Sequence, residues 1–358
     1  METKYINEKN IKIDIEKNIE NRPRLKNLHH FNESVKSKLF QMLYKNGPGN
    51  GCFLSLPFDQ KYVEHGPLHD FLWEKSAQIK SIAQLVNKGN FSAYVLPAEI
   101  AVKYKHLFRP DIPLIYKIDG HFTQPKSANT PSKIGSIKQA LQIGATAIGI
   151  TFYLGGKEVN YDMERVNKIV DTAHDSGLPV VIWSYPRGPG ISEPLNEKDE
   201  GVSQADSLYW VHYAVAAAEA LGADVIKTKF PQQVKPQNRK IYEKMLDKLS
   251  KKNYSAVAYK YLEPENPDIE LTEEQHIYRV SLVTRSSPSS FVIFSGGPKI
   301  KGDAKESLVK QTRIVMKGGA EGGIYGRNIW GVPVEEGIEI ANNVIEEIQK
   351  KEFHRSYE

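Results

Sequence analysis

Two lysines stand in one short apolar stretch, residues 222–231, where Lys227 and Lys229 flank a single threonine. An apolar run with a glycine turn before it and a proline after it is typical of a buried β-strand. Strand side chains alternate between faces, so both lysines lie on one side. Burial and like charge penalise the ammonium form and lower a lysine pKa below its usual value of about 10.4, which yields a neutral nucleophile. The alternative is that both lysines lie beyond the strand in solvent or pair with carboxylates.

Further polar residues fall at the ends of other predicted strands. Alternation turns Asp59 inward on the first strand, together with Ser55 and Pro57, and it places Lys117 and Asp119 on one face of the third. The fourth strand presents Thr151 and Tyr153, and the fifth presents Val181, Trp183 and Tyr185. Layers of Val, Ile and Leu would fill a purely structural barrel interior. Acids, amines, a phenol and an indole instead indicate a reactive pocket.

Two glycine-containing turns could bind an anion. Ser295, Gly296 and Gly297 follow the seventh predicted strand, and Gly326 and Arg327 follow the eighth. Glycines let backbone N–H groups approach an anion, and the arginine adds a bidentate donor. The loops after strands 7 and 8 of a (β/α)8 barrel often bind phosphate, so these turns predict a phosphate site.

Eight strand–helix units must position these side chains. The strands are predicted at 51–59, 92–96, 113–119, 147–153, 179–185, 222–231, 291–295 and 322–325. The helices that follow them are predicted at 75–88, 98–107, 132–143, 162–176, 203–221, 236–250, 303–317 and 334–350. Regular alternation predicts the α/β class and a (β/α)8 TIM barrel, with a doubly wound sheet as the alternative.

The barrel is predicted to span residues 50–350. Residues 1–49 form an N-terminal arm with a helix at 33–44, and residues 351–358 form a tail. A longer polar connection, residues 251–289, precedes the seventh strand.

Composition limits the classes of protein that need considering. The chain has 358 residues, 40% of them hydrophobic and 25% charged, which is typical of soluble globular proteins. The net charge of +5 is scattered, and there is neither a basic arm nor an aromatic signature for RNA, so no nucleic acid partner is expected. A single cysteine, Cys52, and the absence of an apolar signal or membrane segment predict a cytoplasmic protein without a membrane partner.

Several motifs together resemble a known family. They are 56–60 (LPFDQ), 63–67 (VEHGP), 183–188 (WSYPRG), 223–228 (ADVIKT), 295–298 (SGGP) and 326–328 (GRN). In this order they are similar to the archaeal-type class I fructose-bisphosphate aldolases over about residues 50–350. That family also contains 2-amino-3,7-dideoxy-D-threo-hept-6-ulosonate synthase and a thiolase that acts on a phosphorylated signalling molecule.

The resemblance implies a role for each matching residue. Lys227 would form the Schiff base, Tyr185 would transfer protons and Asp59 would be the acid near the substrate. Binding of substrate would fall to Trp183, Lys229, Arg187, His65, Ser295, Gly296, Gly297, Gly326 and Arg327. The family usually has five steps from the aspartate to the histidine of its first motif, whereas Asp59 and His65 are six apart. One extra residue, Lys61 or Tyr62, therefore lies in this loop.

The resemblance implies reversible cleavage of fructose 1,6-bisphosphate to dihydroxyacetone phosphate and glyceraldehyde 3-phosphate in glycolysis and gluconeogenesis. It implies a phosphorylated sugar as substrate, no cofactor, no metal and a homo-oligomer. A related Schiff-base aldolase or transaldolase, such as the heptulosonate synthase, is the first alternative. The others are a metal-dependent barrel lyase, with ligands among His65, His69, Asp70, Asp119 and His121, and a non-catalytic phosphosugar-binding protein.

Overall fold

A computed structural model describes residues 14–64, 66, 78–122, 131–192, 203–297 and 303–357. Eight parallel strands form a closed barrel in which each strand pairs with its neighbours along the chain. The strands are β1 (Phe53–Pro57), β2 (Ala93–Pro97), β3 (Leu114–Lys117), β4 (Ala147–Tyr153), β5 (Val180–Tyr185), β6 (Val225–Lys229), β7 (Phe291–Ser295) and β8 (Gly322–Ile324). This confirms the predicted (β/α)8 barrel.

Helices alternate with the strands. They are α1 (Ile15–Glu20), α2 (Glu33–Phe40), α3 (Ile79–Lys88), α4 (Ala98–Tyr104), α5 (Ile137–Gln142), α6 (Val159–Asp175), α7 (Leu208–Ala220), α8 (Pro236–Ser250), α9 (Ala258–Tyr261), α10 (Glu273–Arg285), α11 (Ala304–Lys317), α12 (Arg327–Trp330) and α13 (Val334–Ile348). A two-residue antiparallel ladder joins Asp119–Gly120 to Ser132–Lys133. No helix in the described ranges is long and apolar enough to cross a membrane.

Most positions of the strands are apolar on both faces because both faces are buried. On β1 and β2, Leu54, Leu56 and Tyr94 join the cluster between the strands and the helices. Phe53 and Val95 join a second cluster inside the barrel. The predicted facing of β1 is therefore confirmed, and it turns its alternate side chains toward the barrel axis.

The N-terminal arm packs against the amino ends of the strands. Leu25, Val35 and Leu39 belong to the same apolar cluster as the barrel interior. Arg22 donates from Nε and Nη2 to Glu321, at 3.1 and 2.9 Å, immediately before β8. These contacts close the end of the barrel opposite to the strand ends that carry the polar residues. The boundaries at residues 49 and 350 remain predictions.

The connection before β7 contains two helices, α9 and α10, that were not predicted from its polar sequence. Of these, α10 lies against α7 and α11 and completes the helical layer between β6 and β7. It begins at a capping box of Thr272 and Gln275. The predicted layer helix, α8, instead packs its buried Tyr242 and Leu246 outside that layer. The reason is that 39 residues of connection, 251–289, supply a second helix with a buried apolar face.

Candidate active site

One cavity of about 670 Å³ opens at the carboxyl ends of the strands. Nine of the predicted site residues line it: Tyr185, Arg187, Lys227, Lys229, Ser295, Gly296, Gly297, Gly326 and Arg327. Asp59 and Trp183 are buried in the barrel end and do not line the cavity itself. His65 lies outside the described residues.

Lys227 occupies the third position of β6, opposite Trp183 of β5 and Ile293 of β7. Only 2% of its surface is exposed. Its Nζ lies 4.6 Å from the centroid of the Trp183 indole. Burial lowers the pKa of the Lys227 amine, and the Lys117 and Arg327 cations lower it further, against the opposing charges of Asp59 and Glu64. A larger fraction of the amine is therefore neutral and nucleophilic at neutral pH.

Lys229, two residues farther along β6, has a different environment. Its side chain is 26% exposed, and its Nζ lies 2.6 Å from Asp206 Oδ1 in an ion pair. The two lysines of β6 therefore differ in burial and in ion pairing: Lys227 is buried, whereas Lys229 is partly exposed and paired with Asp206.

A second buried lysine, Lys117, also lies near the Trp183 indole. Lys117 Nζ lies 5.3 Å from the same indole centroid, and a Cβ at Gly149 would meet the indole at 2.8 Å. Only glycine at position 149 leaves room for this arrangement. Lys117 donates to Thr151 Oγ1 at 2.7 Å and also to the Asp119 carboxylate.

Tyr185 lies at the last position of β5. Burial raises its pKa well above the usual value for a phenol, and the charges of Glu64 and Asp59 raise it further. The hydroxyl is therefore protonated in the resting site and can act first as a proton donor. Asp59 is 2% exposed, and its Oδ1 has no hydrogen-bond partner among the described residues. This arrangement supplies one neutral acid and one buried carboxylate beside Lys227.

The turns after β7 and β8 are tied to one another. Arg327 Nη2 donates to the carbonyl oxygen of Gly297 at 3.2 Å, and Asn328 Nδ2 donates to that of Gly296 at 3.0 Å. Gly297 has φ +69°, a conformation that L side chains rarely adopt. The sequence-predicted phosphate residues are thus brought together on one wall of the cavity.

Glu64 lines the cavity and was missing from the sequence-derived site. It is 8% exposed and ends a π-helix, Gln60–Glu64, that follows β1. A π-helical turn holds one residue more than an α-helical turn. We infer that this turn accommodates the extra residue between Asp59 and His65. The sequence signal for this residue was its place in the motif at 63–67, which contains Glu64.

The polar residues near β3 and β4 form an ion-pair group. Asp119 Oδ2 accepts hydrogen bonds from Thr151 N at 2.8 Å and Arg165 Nη1 at 3.0 Å, in addition to the Lys117 pair. Within the described ranges, no three His, Cys, Asp or Glu side chains are grouped as metal ligands are. His69 and Asp70 of the metal-site alternative lie outside these ranges, as His65 does.

Comparisons with known proteins agree on one kind of enzyme. Residues 53–331 match the model of DeoC/LacD family aldolases. The chain is 28% identical over 268 residues to the class 1 fructose-bisphosphate aldolase of Thermoproteus tenax, covering 75% of this chain and 80% of that protein. It is 26% identical over 319 residues to a probable class 1 fructose-bisphosphate aldolase of Chlamydia muridarum, covering 87% and 83%. A crystal structure of an archaeal fructose 1,6-bisphosphate aldolase superposes with a TM-score of 0.64 at 25% identity, covering 87% of this chain and 99% of the other.

Proposed function

The chain belongs to the DeoC/LacD family of aldolases, and from that premise we propose that it is a class I fructose-bisphosphate aldolase. An aldolase is a lyase, so the non-catalytic alternative is wrong. The observation that carries the proposal is the buried Lys227 of β6, which lines a cavity with cationic walls together with Tyr185 and is close enough to Asp59 to feel its charge. The reaction is the reversible cleavage of fructose 1,6-bisphosphate to dihydroxyacetone phosphate and glyceraldehyde 3-phosphate.

Imine formation would begin at Lys227. Its neutral amine attacks the C2 ketone and gives a carbinolamine, whose hydroxyl leaves as water after receiving a proton. Tyr185 is the donor in this step, because its raised pKa keeps the phenol protonated before substrate binds. The resulting iminium places a positive charge beside the face of Trp183, where a cation is stabilised.

Carbon–carbon cleavage would follow from that cation. The iminium accepts the electron pair of the C3–C4 bond, while the tyrosinate left by the first step removes the proton of the C4 hydroxyl. Glyceraldehyde 3-phosphate then leaves with its new C4 carbonyl. The remaining enamine takes a proton at C3 from Tyr185, which the C4 hydroxyl has re-protonated. Water then hydrolyses the iminium to release dihydroxyacetone phosphate and Lys227, and a proton of this water returns to the tyrosinate. In these reaction steps, the buried side chain of Asp59 would balance the positive charge of the iminium intermediates.

The cavity is lined by enough cations to bind a phosphate at each end of the substrate. One wall has Arg327 with the glycine turns after β7 and β8, and Arg187, Lys229 and Lys235 also line the cavity. Separate cations of this kind would bind the two phosphates of a bisphosphate. The arrangement therefore supports fructose 1,6-bisphosphate as the substrate.

A related Schiff-base aldolase or transaldolase reaction, such as that of the heptulosonate synthase, is the second candidate. A relative from Methanocaldococcus jannaschii, 26% identical over 192 residues, carries the name fructose-bisphosphate aldolase/6-deoxy-5-ketofructose 1-phosphate synthase. The same amine and the same phosphate wall would serve either substrate. We further propose a homo-oligomer, which light scattering would test against a monomer.

A substrate panel assayed with EDTA present separates these candidates. We expect the purified protein to cleave fructose 1,6-bisphosphate with the highest kcat/KM, and to keep this activity in the chelator. A higher kcat/KM for 6-deoxy-5-ketofructose 1-phosphate would favour the second candidate. Loss of activity in EDTA, restored by a divalent metal, would contradict the Schiff-base proposal.

A further inference from the structure

The segment Gln232, Gln233, Val234 and Lys235, here called the rim segment, follows β6 and borders the cavity. Gln232, Gln233 and Lys235 line the cavity beside Lys229, and the Lys235 side chain is exposed. A loop that borders a binding site loses conformational entropy when substrate orders it, unless other contacts have already fixed it. The contacts of the rim segment therefore decide how well it can bind a substrate group.

A buried ion pair from the connection before β7 holds this segment. Arg279 Nη1 lies 2.8 Å from Glu263 Oε1, and the two side chains are 1% and 0% exposed. Arg279 Nη2 donates to the carbonyl oxygen of Gln232 at 2.8 Å, and Glu263 Oε2 accepts from Val234 N at 3.0 Å. Each partner of the pair thus also bonds the rim backbone.

Further hydrogen bonds fix Gln233 from the same connection. Its Nε2 donates to the carbonyl oxygens of Pro267 at 3.1 Å and Ile269 at 2.8 Å, and its Oε1 accepts from Leu271 N at 3.0 Å. On the other side, Gln204 Nε2 donates to the Gln233 carbonyl oxygen at 2.8 Å.

The hydrogen bonds of the rim segment also fix the positions of two cations of the cavity, Lys235 and Lys229. Gln204 Oε1 accepts from Lys235 N at 2.9 Å, and Gln232 N donates to the carbonyl oxygen of Asp206 at 2.7 Å. Asp206 in turn pairs with Lys229. Displacement of the rim would therefore move Lys235 and, through Asp206, the partner of Lys229.

A buried ion pair is weak evidence for stability alone, because its desolvation offsets its attraction. This pair, however, bonds the cavity border through both partners, and well-fixed binding groups favour substrate recognition. We propose that Glu263 and Arg279 are positioning residues, which hold the rim segment so that Lys235 and Lys229 bind the phosphate on the aldehyde half of the substrate. This inference rests on the proposed function, and it gives the connection before β7 a part in substrate specificity.

The test compares two substrates that differ only in that phosphate, fructose 1,6-bisphosphate and fructose 1-phosphate. Glu263→Gln removes a charge from the pair with little change of volume. Glu321→Gln is the matched control, because Glu321 also joins a buried arginine, Arg22, to a backbone N–H, that of Val292, at the opposite end of the barrel. Both variants should lose thermal stability.

Of these two variants, only Glu263→Gln should raise the KM for the bisphosphate relative to the KM for fructose 1-phosphate, by about tenfold. Its kcat for fructose 1-phosphate should change little. Lys235→Ala, which leaves the buried pair intact, should shift the same KM ratio and decide the question if Glu263→Gln does not fold. An unchanged ratio in the folded Glu263→Gln protein, or an equal change in Glu321→Gln, would overturn the inference. If Glu263→Gln does not fold, an unchanged ratio in Lys235→Ala would overturn it. A wild-type protein that cleaves neither sugar would refute the proposed function instead.

Discussion

Lys117→Met tests the electrostatic environment of Lys227. Both Nζ atoms lie over the Trp183 indole, 5.3 and 4.6 Å from its centroid, which places them at most about 10 Å apart. Two like charges at about 10 Å interact by about 1.7 kcal/mol at an effective dielectric constant of about 20. Removing the Lys117 charge should therefore raise the pKa of Lys227. Methionine keeps most of the side-chain length, and Arg165 still pairs with Asp119.

The direction of the pH effect follows from the amine. Lys227 reacts when neutral, so activity falls as the pH drops below its pKa. A raised pKa moves this acid limb to higher pH, and an interaction of about 1.7 kcal/mol corresponds to a fall of about tenfold or more in kcat/KM at a pH below the limb. At a pH well above the limb, the variant should recover most of the wild-type value. The assay is kcat/KM for cleavage measured across the pH range in buffers of constant ionic strength.

The control is Lys103→Met, which removes an exposed cation from α4 and should leave the limb in place. The reasoning is refuted if the limb of Lys117→Met stays at the wild-type pH or moves to lower pH while the protein remains folded. A uniform loss of activity at every pH would also contradict it, because that result would assign Lys117 a role other than lowering the pKa of Lys227.

Three further variants test the proposed roles. Tyr185→Phe deletes one hydroxyl and should lower kcat at least about 100-fold with an unchanged fold by circular dichroism; near wild-type turnover would count against proton transfer. Arg327→Ala should raise KM for the bisphosphate about 10- to 100-fold, with less effect on kcat, and Arg327→Lys should restore part of the affinity; equal KM values would remove it from the phosphate wall. Asp59→Asn removes a charge that raises the pKa of Lys227, so the acid limb should move to lower pH, opposite to Lys117→Met; a move to higher pH would contradict the geometry.

Strand periodicity was sufficient to predict the barrel and the facing of β1, β3, β4, β5 and β6. Alternation turns Lys227, Trp183 and Tyr185 to the same interior because parallel strands in register repeat every two residues. The contacts across strands could not be read in this way. The pairing of Asp206 with Lys229 joins residues 23 positions apart, so nothing local in the sequence indicates it.

Other features had weak or ambiguous signals. Helix α10 begins at a capping box of Thr272 and Gln275, but its apolar pattern is weak because its buried face includes the polar residues Arg279, Ser281 and Thr284. Glu64 stood inside a recognised motif, yet its position in the cavity depends on a π-helical turn that spacing alone does not predict. Lys117 and Asp119 were placed on one face correctly, but their pairing with Thr151 and Arg165 required the structure.

Chemical trapping tests most directly which lysine reacts. Borohydride added with dihydroxyacetone phosphate reduces an iminium to a stable secondary amine, and fragmentation of the labelled peptide locates it. We expect the label on Lys227, which is 2% exposed and has a lowered pKa, and none on Lys229, which is ion-paired with Asp206. Lys227→Ala should lose both label and activity, while Lys229→Ala should keep the label and part of the rate. Label on Lys229, or no label on either lysine, would contradict the assignment of Lys227 as the Schiff-base residue.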